Sequence, residues 1–478
     1  MQFLLESLTD LDASLRARGS RLFILQGNPV DVLPQAFKQW NISKLCFEYD
    51  TEPYANVRDT QIKRLAQLHN ISVHSPISHT LYDLAEITRR AGNKAPLTMK
   101  AFEKIVDGMG APPPPTADPP PTLPPYNPQA WKCGDGDSLV PRRLTDVHAD
   151  YALHPATTLF HGGEQAALGR LAAALADPQW VCDFEKPKGN PATFTPRPAT
   201  TVLSPYLKFG CLSVRLFHSK LVEVYNKEGK FTKPPVSLRG QLLWREFFYT
   251  VAYSTPNFDK MVGNPICRQI TWRQTGSTDR DSTDSTAGLL SAWEEGRTGY
   301  PWIDAIMIQL RQEGWMHHLA RHSVACFLTR GDLWCSWEAG RDVFDRLLID
   351  ADWALNSGNW MWLSASAFFH QYFRVYSPIS FGKQYDKNGE YIRRYVPVLK
   401  DMPAKYIYEP WTAPRAVQAK AGCIIGVDYP APIVDHAVVM KENMEKMKQA
   451  FASGSGSGTG GGSGGEGYGQ PKKKKKPS

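Results

Sequence analysis

Three features that are common in other protein classes are missing from this chain of 478 residues. It has no run of about 18 or more apolar residues, which excludes a transmembrane helix. Its eight cysteines are scattered and form no C-x-x-C pair. This pattern is typical of reduced thiols in the cytosol or nucleus, not of a disulfide framework or a zinc ribbon. The N-terminal residues lack the apolar segment of a signal peptide, so we expect a protein that is not secreted.

Positive charge is also scarce once the C-terminus is set aside. Lys and Arg exceed Asp and Glu by eight, but five of these charges are the run Lys472–Lys476. The remainder is too small to indicate a protein that coats nucleic acid by charge alone. Residues 452–478 are rich in Gly, Ser and Lys and are predicted to be a disordered tail. The lysine run predicts a nuclear protein, present also in the cytoplasm, with nonspecific contact to nucleic acid as the alternative role.

Tryptophan, in contrast, is abundant. The chain has 14 tryptophans, and ten of them fall between Trp244 and Trp362. A large hydrophobic core explains such a stretch in most proteins. The alternative is a rigid aromatic cluster around a flat cofactor.

The hydrophobic pattern predicts an N-terminal α/β domain over residues 1–109. Apolar spacing predicts helices at 3–18, 32–40 and 56–68, and short apolar runs predict strands at 21–25, 44–48 and 71–74. This alternation implies a parallel sheet with crossover helices. Three strands are few for such a domain, so we expect its first strand and helix to be missing.

The remainder of the chain is predicted to be helical. Residues 110–150 begin with a proline-rich stretch and are predicted to be a linker between domains. Residues 151–451 are predicted to form one large helical domain, interrupted at 274–288 by a polar insertion.

The segment 200–210 (TTVLSPYLKFG) places three hydroxyl side chains before a predicted helix with Pro205 in its first turn. Hydroxyls and backbone N–H groups at a helix start favour phosphate binding. Simple helix capping is the alternative function of the same residues.

Histidines at 318 and 322 are four residues apart and would share one helix face. A metal site would need a third ligand, and the segment 315–322 (WMHHLARH) offers no Glu in the metalloprotease position. The remaining alternatives are two satisfied core histidines or a coupled pair that delivers a proton.

The segment 350–362 (DADWALNSGNWMW) contains two acids, two amides and three tryptophans. It predicts a capped helix with an aromatic face, and Asp350 could pair with Arg321 across helices beside a redox centre. Trp334 and Trp337, three apart, are predicted to share one face of a helix.

Four motifs together resemble the photolyase/cryptochrome family, in the branch of (6-4) photolyases and animal-type cryptochromes. They are 200–213, 240–249 (GQLLWREFFY), 295–334 and 350–369, and the resemblance runs from residue 1 to about 451. It implies an α/β domain followed by a helical domain that binds FAD. An antenna chromophore is doubtful, because the N-terminal segment that would support it is not found.

The resemblance also implies the cofactor and electron-transfer residues. Asn356 takes the position that faces flavin N5, and Arg321 with Asp350 forms an ion pair over the flavin ring. The photoreduction chain would run through Trp360, Trp337 and Trp272, with Trp334 as a fourth member. The FAD contacts implied by motif are Thr200, Thr201, Val202, Leu203, Ser204, Gln241, Arg245, His318, Arg321, Asp350, Ala351, Asp352 and Asn356.

The implied activity is repair of (6-4) photoproducts in DNA. His318 and His322 occupy the positions of the catalytic pair, and Tyr376 that of a lesion-contacting tyrosine. Lys188, Gln241, Trp244 and Trp362 fall at positions of the lesion pocket. The damaged dinucleotide would flip into that pocket, excited reduced FAD would donate an electron, and protonated His318 would supply a proton before the electron returns.

Two other functions remain open within the family. A non-repairing cryptochrome would act as a blue-light or circadian signalling protein through clock or transcription partners. The histidine pair occurs in both groups, whereas Tyr376 and its surroundings favour repair. A cyclobutane-dimer photolyase is disfavoured because that class has Asn in place of His318. We expect a monomer that acts on UV-damaged DNA, with no metal and no membrane partner.

Overall fold

The structure is a computed structural model that describes residues 1–126, 139–150, 158, 160–186, 191, 198–273 and 285–453. Packing divides these residues into two compact units. The first comprises Met1–Phe184 and Thr201–Ser254. The second comprises Glu185–Thr200 and the described residues from Thr255 onward. This grouping follows contacts between elements, and the domain boundaries predicted above stay a prediction.

The first unit is mainly helical and contains a small sheet. Its helices begin where side chains can satisfy free N–H groups, as where Ser237 Oγ accepts a bond of 3.1 Å from Gly240 N. The strands are β1 (Lys44–Cys46) and β2 (Ser72–His74). The helices are α1 (Gln2–Arg16), α2 (Pro29–Gln39), α3 (Pro53–Leu68), α4 (Leu84–Arg90), α5 (Met99–Asp107), α6 (Leu144–Asp150), α7 (Glu164–Leu175), α8 (Pro178–Asp183), α9 (Ser204–Lys208), α10 (Val214–Glu228) and α11 (Leu238–Tyr253).

The sheet has the predicted parallel direction and crossover helix. β1 pairs with β2 in parallel, with Leu45 opposite Val73, and α3 connects the two strands. Leu45 and Val73 pack on a core of Phe37, Ala66 and Ile71. These contacts confirm the strand–helix–strand prediction for residues 44–74.

The strand predicted at 21–25 is wrong. Within it, Ile24 forms one isolated antiparallel bridge with Arg142. Leu22 N is bonded 2.8 Å from Asp12 Oδ1, a side chain of α1. A short apolar run becomes a strand only where a neighbouring strand accepts its backbone bonds.

The regular secondary structure in the described part of the second unit is helical, apart from one isolated bridge between Ile425 and Tyr429. This confirms the predicted change to helical structure. Its α-helices are α12 (Thr286–Glu295), α13 (Pro301–Glu313), α14 (His318–Cys326), α15 (Trp337–Leu347), α16 (Trp353–Leu363), α17 (Ser380–Tyr385), α18 (Glu390–Tyr395), α19 (Arg415–Lys420) and α20 (His436–Ser453). A π-helix spans Phe327–Gly331, and short 3-10 helices span Pro397–Leu399 and Pro410–Thr412.

Two predicted loops are partly helical. α6 occupies the end of the predicted linker 110–150, and α12 begins at Thr286, inside the predicted insertion 274–288. Residues 274–284 of that insertion, and the tail from 454, lie outside the described residues.

Tryptophan fills the core of the second unit. The largest fully buried side chains include Trp293, Trp302, Trp337 and Trp360. Across the described residues, no helix is long and apolar enough for a membrane span. All seven described cysteines are free thiols.

Candidate cofactor and substrate site

The Thr200–Ser204 loop has a strained backbone. Val202 adopts a φ of +51°, although a β-branched residue disfavours the left-handed region, and its side chain is buried. α9 has only five residues and no side-chain cap at its start. The hydroxyl of Thr201 makes no hydrogen bond within the described part of the chain. The loop therefore keeps a hydroxyl group available, which capping would have used.

The predicted cofactor residues of α11 are engaged with the first unit itself. Arg245 Nη1 donates to His79 O at 2.8 Å, and its Nη2 lies 2.6 Å from His79 Nε2. The guanidinium also lies 3.4 Å from the buried Glu246 carboxylate and over the ring of Tyr249. Gln241 Nε2 donates over 3.3 Å to Ser237 O. The assignment of Gln241 and Arg245 to a cofactor stays a prediction.

The second unit brings the predicted catalytic group together. His318 and His322 share one face of α14, with ring centroids 6.0 Å apart. The Tyr376 hydroxyl lies 3.5 Å from His322 Nδ1. His318 Nε2 is buried and has no hydrogen-bond partner among the described residues. His317, the residue before α14, packs against His318 at 4.2 Å between centroids.

Burial sets the protonation states of this cluster. It lowers the pKa of His322 to about 3 and that of His318 well below its ordinary value, with smaller contributions from neighbouring charges. Burial also raises the pKa of Tyr376 to about 12. At neutral pH both imidazoles are therefore neutral and the phenol is protonated. An anion entering beside His318 Nε2 would favour the imidazolium form.

Lys186 is a member of this neighbourhood that sequence reasoning missed. Burial, followed by the charge of Arg321, lowers the pKa of Lys186 to about 8. Its own charge lowers the pKa of His322. Lys188, the lysine predicted for the lesion pocket, lies outside the described residues. No spacing rule marks Lys186, because tertiary packing alone places it near α14.

The predicted ion pair between Arg321 and Asp350 is confirmed. Arg321 Nη2 lies 2.8 Å from Asp350 Oδ2, and the Asp350 side chain is only 3% exposed. Arg321 Nε also donates to Met316 O at 3.1 Å. The pair connects α14 to the residues just before α16.

Asp352 and Asn356 lie one turn apart on α16. Asp352 Oδ1 caps the helix by accepting bonds from Ala354 N at 3.1 Å and Leu355 N at 3.2 Å, as the capped-helix alternative predicted. Asn356 Nδ2 donates to Arg341 O at 3.1 Å and to Asp345 Oδ1 at 2.6 Å. Within the described part of the chain, Asn356 Oδ1 has no partner, so a group beside α16 would meet an oriented acceptor.

The tryptophans predicted to form an electron path lie in separate aromatic groups. Trp360 packs on Phe344 at 4.9 Å and on Trp293 at 6.1 Å between ring centroids. Trp272 contacts Trp334 at 4.9 Å. Trp337 is fully buried under the guanidinium of Arg341, and no ring contact joins it to Trp360 or Trp272 among the described residues. The order of electron transfer stays a prediction.

The shared helix face predicted for Trp334 and Trp337 is wrong. Trp337 is the first residue of α15, whereas Trp334 lies before that helix with a φ of +58°. Its Nε1 donates to Thr271 O at 2.9 Å, which turns the indole toward Trp272. The chain leaves the π-helix and turns before α15 begins, and this turn breaks the three-residue spacing.

The predicted lesion-pocket residues lie in both units. Trp362 is half-buried and stacks on Phe369 at 5.9 Å between centroids. Trp244, on α11, packs against Phe247 and Phe248 in the first unit. Across the described residues, no group of three or more His, Cys, Asp or Glu side chains could hold a metal.

Comparison with known proteins agrees with these features. Residues 237–449 match the family described as the FAD binding domain of DNA photolyase, and residues 1–121 match the DNA photolyase family. A (6-4)DNA photolyase of Oryza sativa subsp. japonica is 56% identical over 457 residues, covering 95% of this chain and 80% of that protein. Cryptochrome-1 of Gallus gallus is 52% identical over 457 residues, covering 94% of this chain and 70% of that protein.

A solved structure shows the same fold. The bacterial class III photolyase from Agrobacterium tumefaciens has a TM-score of 0.76 and 27% identity, covering 94% of this chain and 88% of that one. The resemblance predicted from four motifs therefore extends over nearly the whole chain. The chain belongs to the photolyase/cryptochrome family, with an FAD-binding helical domain.

Proposed function

We propose that this protein is an FAD-dependent, blue-light-driven (6-4) photolyase that repairs (6-4) pyrimidine photoproducts in DNA, and that it also serves as a photoreceptor. The observation that carries the proposal is the cluster of His318, His322 and Tyr376, in which His318 Nε2 is buried and has no partner among the residues that the structure describes. The similar rice protein named (6-4)DNA photolyase supports the choice of lesion.

The residues fit the cofactor that the family binds. Among the described residues the Thr201 hydroxyl has no hydrogen-bond partner and the Asn356 side-chain carbonyl is an available acceptor, and the Arg321–Asp350 pair is largely buried. Phosphate needs donors such as hydroxyl and N–H groups, and a flavin ring needs both donors and acceptors at its edge. When bound, FAD would supply light-driven electron donation. We assign to its site Thr200, Thr201, Val202, Leu203, Ser204, Gln241, Arg245, His318, Arg321, Asp350, Ala351, Asp352 and Asn356.

His318 would hold the proton of the reaction at Nε2. The pKa of His318 is lowered by burial, so this imidazole is neutral at neutral pH. Phosphate or developing negative charge on an extruded nucleotide would raise that pKa and allow protonation. His322, with Tyr376 at its Nδ1, would fix the orientation of the pair. Proton donation therefore requires the bound substrate, which limits unproductive protonation.

Positive charge near the cluster suits an anionic substrate. Lys186 influences the pKa of the histidines, and Arg321 lies one turn from His318. A nucleotide taken out of a duplex carries its phosphates into the pocket, where such cations stabilise it. Trp362 offers a half-buried ring against which a base could stack.

The second candidate is a non-repairing animal-type cryptochrome that signals through protein partners. The likeness to cryptochrome-1 at 52% identity favours it. Tyr376 beside His322 favours repair, because a signalling protein needs no lesion-contacting hydroxyl there. The nuclear location indicated by Lys472–Lys476 suits both functions, and a reporter fused to residues 452–478 would test it.

One experiment separates the two functions. The purified protein, with its FAD content measured from the flavin spectrum, is mixed with DNA that carries one (6-4) lesion. We expect lesion loss in blue light and none in the dark, and no change in matched DNA that carries no lesion. Flavin-replete protein that leaves the lesion intact under blue light would overturn the repair proposal and favour signalling.

A further inference from the structure

A buried arginine holds the segment that follows α16. Arg330, in the π-helix, is only 1% exposed. Its Nε donates to Leu363 O at 2.8 Å, Nη1 to Tyr372 O at 2.6 Å and Nη2 to Arg374 O at 2.9 Å. A planar guanidinium can hold three separate carbonyls in fixed directions, which an ammonium group cannot do.

Burial of this guanidinium costs desolvation free energy, which in most proteins is offset by an opposite charge nearby. No ion pair involves Arg330 in the described part of the chain. The ring of Phe369 also lies beside it, 5.5 Å from the guanidinium carbon. A neutral hydrogen-bonding or apolar residue would avoid the cost, so the three bonds to one segment are the feature that only arginine provides.

The held segment, residues 363–376, has a strained backbone. Ala365 and Phe368 have φ values of +58° and +64°, in the left-handed region. The hydroxyls of Ser364 and Ser366 are buried and lie 2.9 Å apart. Left-handed residues persist only where their surroundings impose that conformation, and they cluster at functional sites. Three bonds from Arg330 supply such a restraint.

The clamp lies next to the residues assigned to the lesion. Leu363 directly follows Trp362, and Arg374 comes two residues before Tyr376. α14 is followed directly by the π-helix, and a kink at Thr329 (φ −97°, ψ −113°) separates His322 from Arg330 in this stretch of the chain. This stretch contacts segment 363–376 at two points. The Arg330 guanidinium donates to backbone carbonyls of the segment, and His322 lies beside the Tyr376 hydroxyl.

We propose that Arg330 is a positioning residue that fixes segment 363–376 on α14 and thereby sets the Tyr376–His322 distance and the place of Trp362. It acts through backbone carbonyls and touches no substrate. The inference rests on the proposed function, since that function assigns Trp362 and Tyr376 to the lesion. The clamp itself can be measured without any repair activity.

The test compares Arg330→Lys with a matched control, Arg346→Lys, in the flavin-containing full chain. Arg346 is a more exposed arginine of the same unit whose partner is the Glu294 carboxylate. Amide hydrogen exchange is measured for residues 363–376. We expect Arg330→Lys to raise their exchange rates at least tenfold and the control to leave them unchanged. Unchanged exchange in Arg330→Lys would overturn the clamp.

The second readout is repair of lesion-bearing DNA. We expect Arg330→Lys to weaken lesion binding about tenfold, with FAD content and flavin photoreduction unchanged. If the wild type repairs the lesion, and Arg330→Lys shows faster exchange but the same lesion affinity and turnover as the wild type, the positioning role is overturned. A wild type that does not repair would instead refute the proposed function, while the exchange data would still decide the clamp.

A second variant covers the case in which Arg330→Lys does not fold. Arg330→Gln removes the buried charge and leaves at most two side-chain N–H donors for the three carbonyls. We expect a several-fold rise in exchange of 363–376 and a several-fold loss of lesion affinity. No change in either quantity would overturn the proposal.

Discussion

The second unit contains two neighbouring regions that bury polar groups in different ways. Along α14, three imidazoles are buried with depressed pKa values, and the Nε2 atoms of His317 and His318 have no partner in the described part of the chain. At the α15–α16 contact, aromatic carbon fills the space, and Asn356 uses its amide group on Arg341 and Asp345. Buried polar atoms without a partner in the described part of the chain occur in both regions, since Ser357 Oγ and Trp360 Nε1 on α16 also have none. The regions differ in their ionisable groups, because α14 buries three imidazoles that can take up a proton, whereas aromatic carbon dominates the α15–α16 contact. This difference indicates that α14 serves proton chemistry and that α15 supports α16.

The largest expected effect is on chemistry at α14. His318→Ala should lower repair by about 100-fold or more, because a positioned proton donor contributes roughly that factor. The free energy of unfolding should change little, since His318 Nε2 has no partner to lose. Single-turnover repair and chemical denaturation measure the two quantities. A large decrease in the free energy of unfolding alongside the loss of repair would contradict the inference that α14 serves chemistry and α15 serves stability.

Acid should destabilise the α14 region next. The pKa values of His317 and His322 are lowered by burial to about 3 in the folded protein. In the unfolded chain each imidazole has its ordinary pKa near 6.5 and binds a proton below that pH, whereas in the folded chain it stays neutral until the pH approaches 3. Stability should be full above about pH 6.5 and fall as pH decreases toward 3, by roughly 2 kcal/mol per imidazole at pH 5.

Thermal unfolding between pH 7 and pH 5 measures this loss. The control is His322→Asn, which removes one titrating group and should reduce the slope of stability against pH. A slope identical to that of the wild type would show that His322 does not titrate as its burial implies.

At the α15–α16 contact the expected effect is on packing. A Cβ atom at Gly340 would lie 2.1 Å from Cη2 of Trp360 and 2.6 Å from Leu328 Cδ2. Gly340→Ala should therefore lower the free energy of unfolding by about 1–3 kcal/mol, as overpacking does. Gly169→Ala, where nothing lies within 4 Å of the new Cβ, is the matched control on α7. Equal stability of the two variants would refute the packing argument.

A smaller effect is expected for Trp360→Phe. Flavin photoreduction should slow by about tenfold, since an indole radical forms more easily than one on a phenyl ring, and part of the burial is kept. Flash photolysis measures the rate. Trp293→Phe, a fully buried neighbour at 6.1 Å outside the predicted chain, is the control. An unchanged rate in Trp360→Phe would contradict the assigned path.

Local periodicity predicted much of the α14 face. A four-residue spacing was enough to place His318 and His322 together, because every helix imposes that geometry. The same argument failed for Trp334 and Trp337, where the chain leaves the π-helix with a left-handed residue. The strand at 21–25 failed for a related reason, since pairing with another strand is not encoded in its own apolar run.

Long-range packing accounts for the features that sequence could not supply. Arg330 bonds to carbonyls 33 to 44 residues away, and a carbonyl has no residue identity to recognise. Lys186 approaches the histidines through a loop without periodic pattern. From the sequence, Gly340 is only a residue of low helix propensity, and its close approach to Trp360 is known only from the structure. The family resemblance named site residues, but it could not show which of them contact one another.

The smallest expected effect separates two roles of Asp352, as a helix cap and as a cofactor contact. Asp352→Ala should cost about 1 kcal/mol of stability, because Ala354 N and Leu355 N lose their acceptor. Asp352→Asn keeps an oxygen acceptor, so its stability should stay within about 0.5 kcal/mol of the wild type. If the carboxylate also contacts FAD, both variants should release flavin more readily. Denaturation of the flavin-free protein measures the cap, and flavin retention during dialysis measures the contact. Wild-type retention in Asp352→Asn would leave Asp352 as a helix cap alone, without a contact to the cofactor.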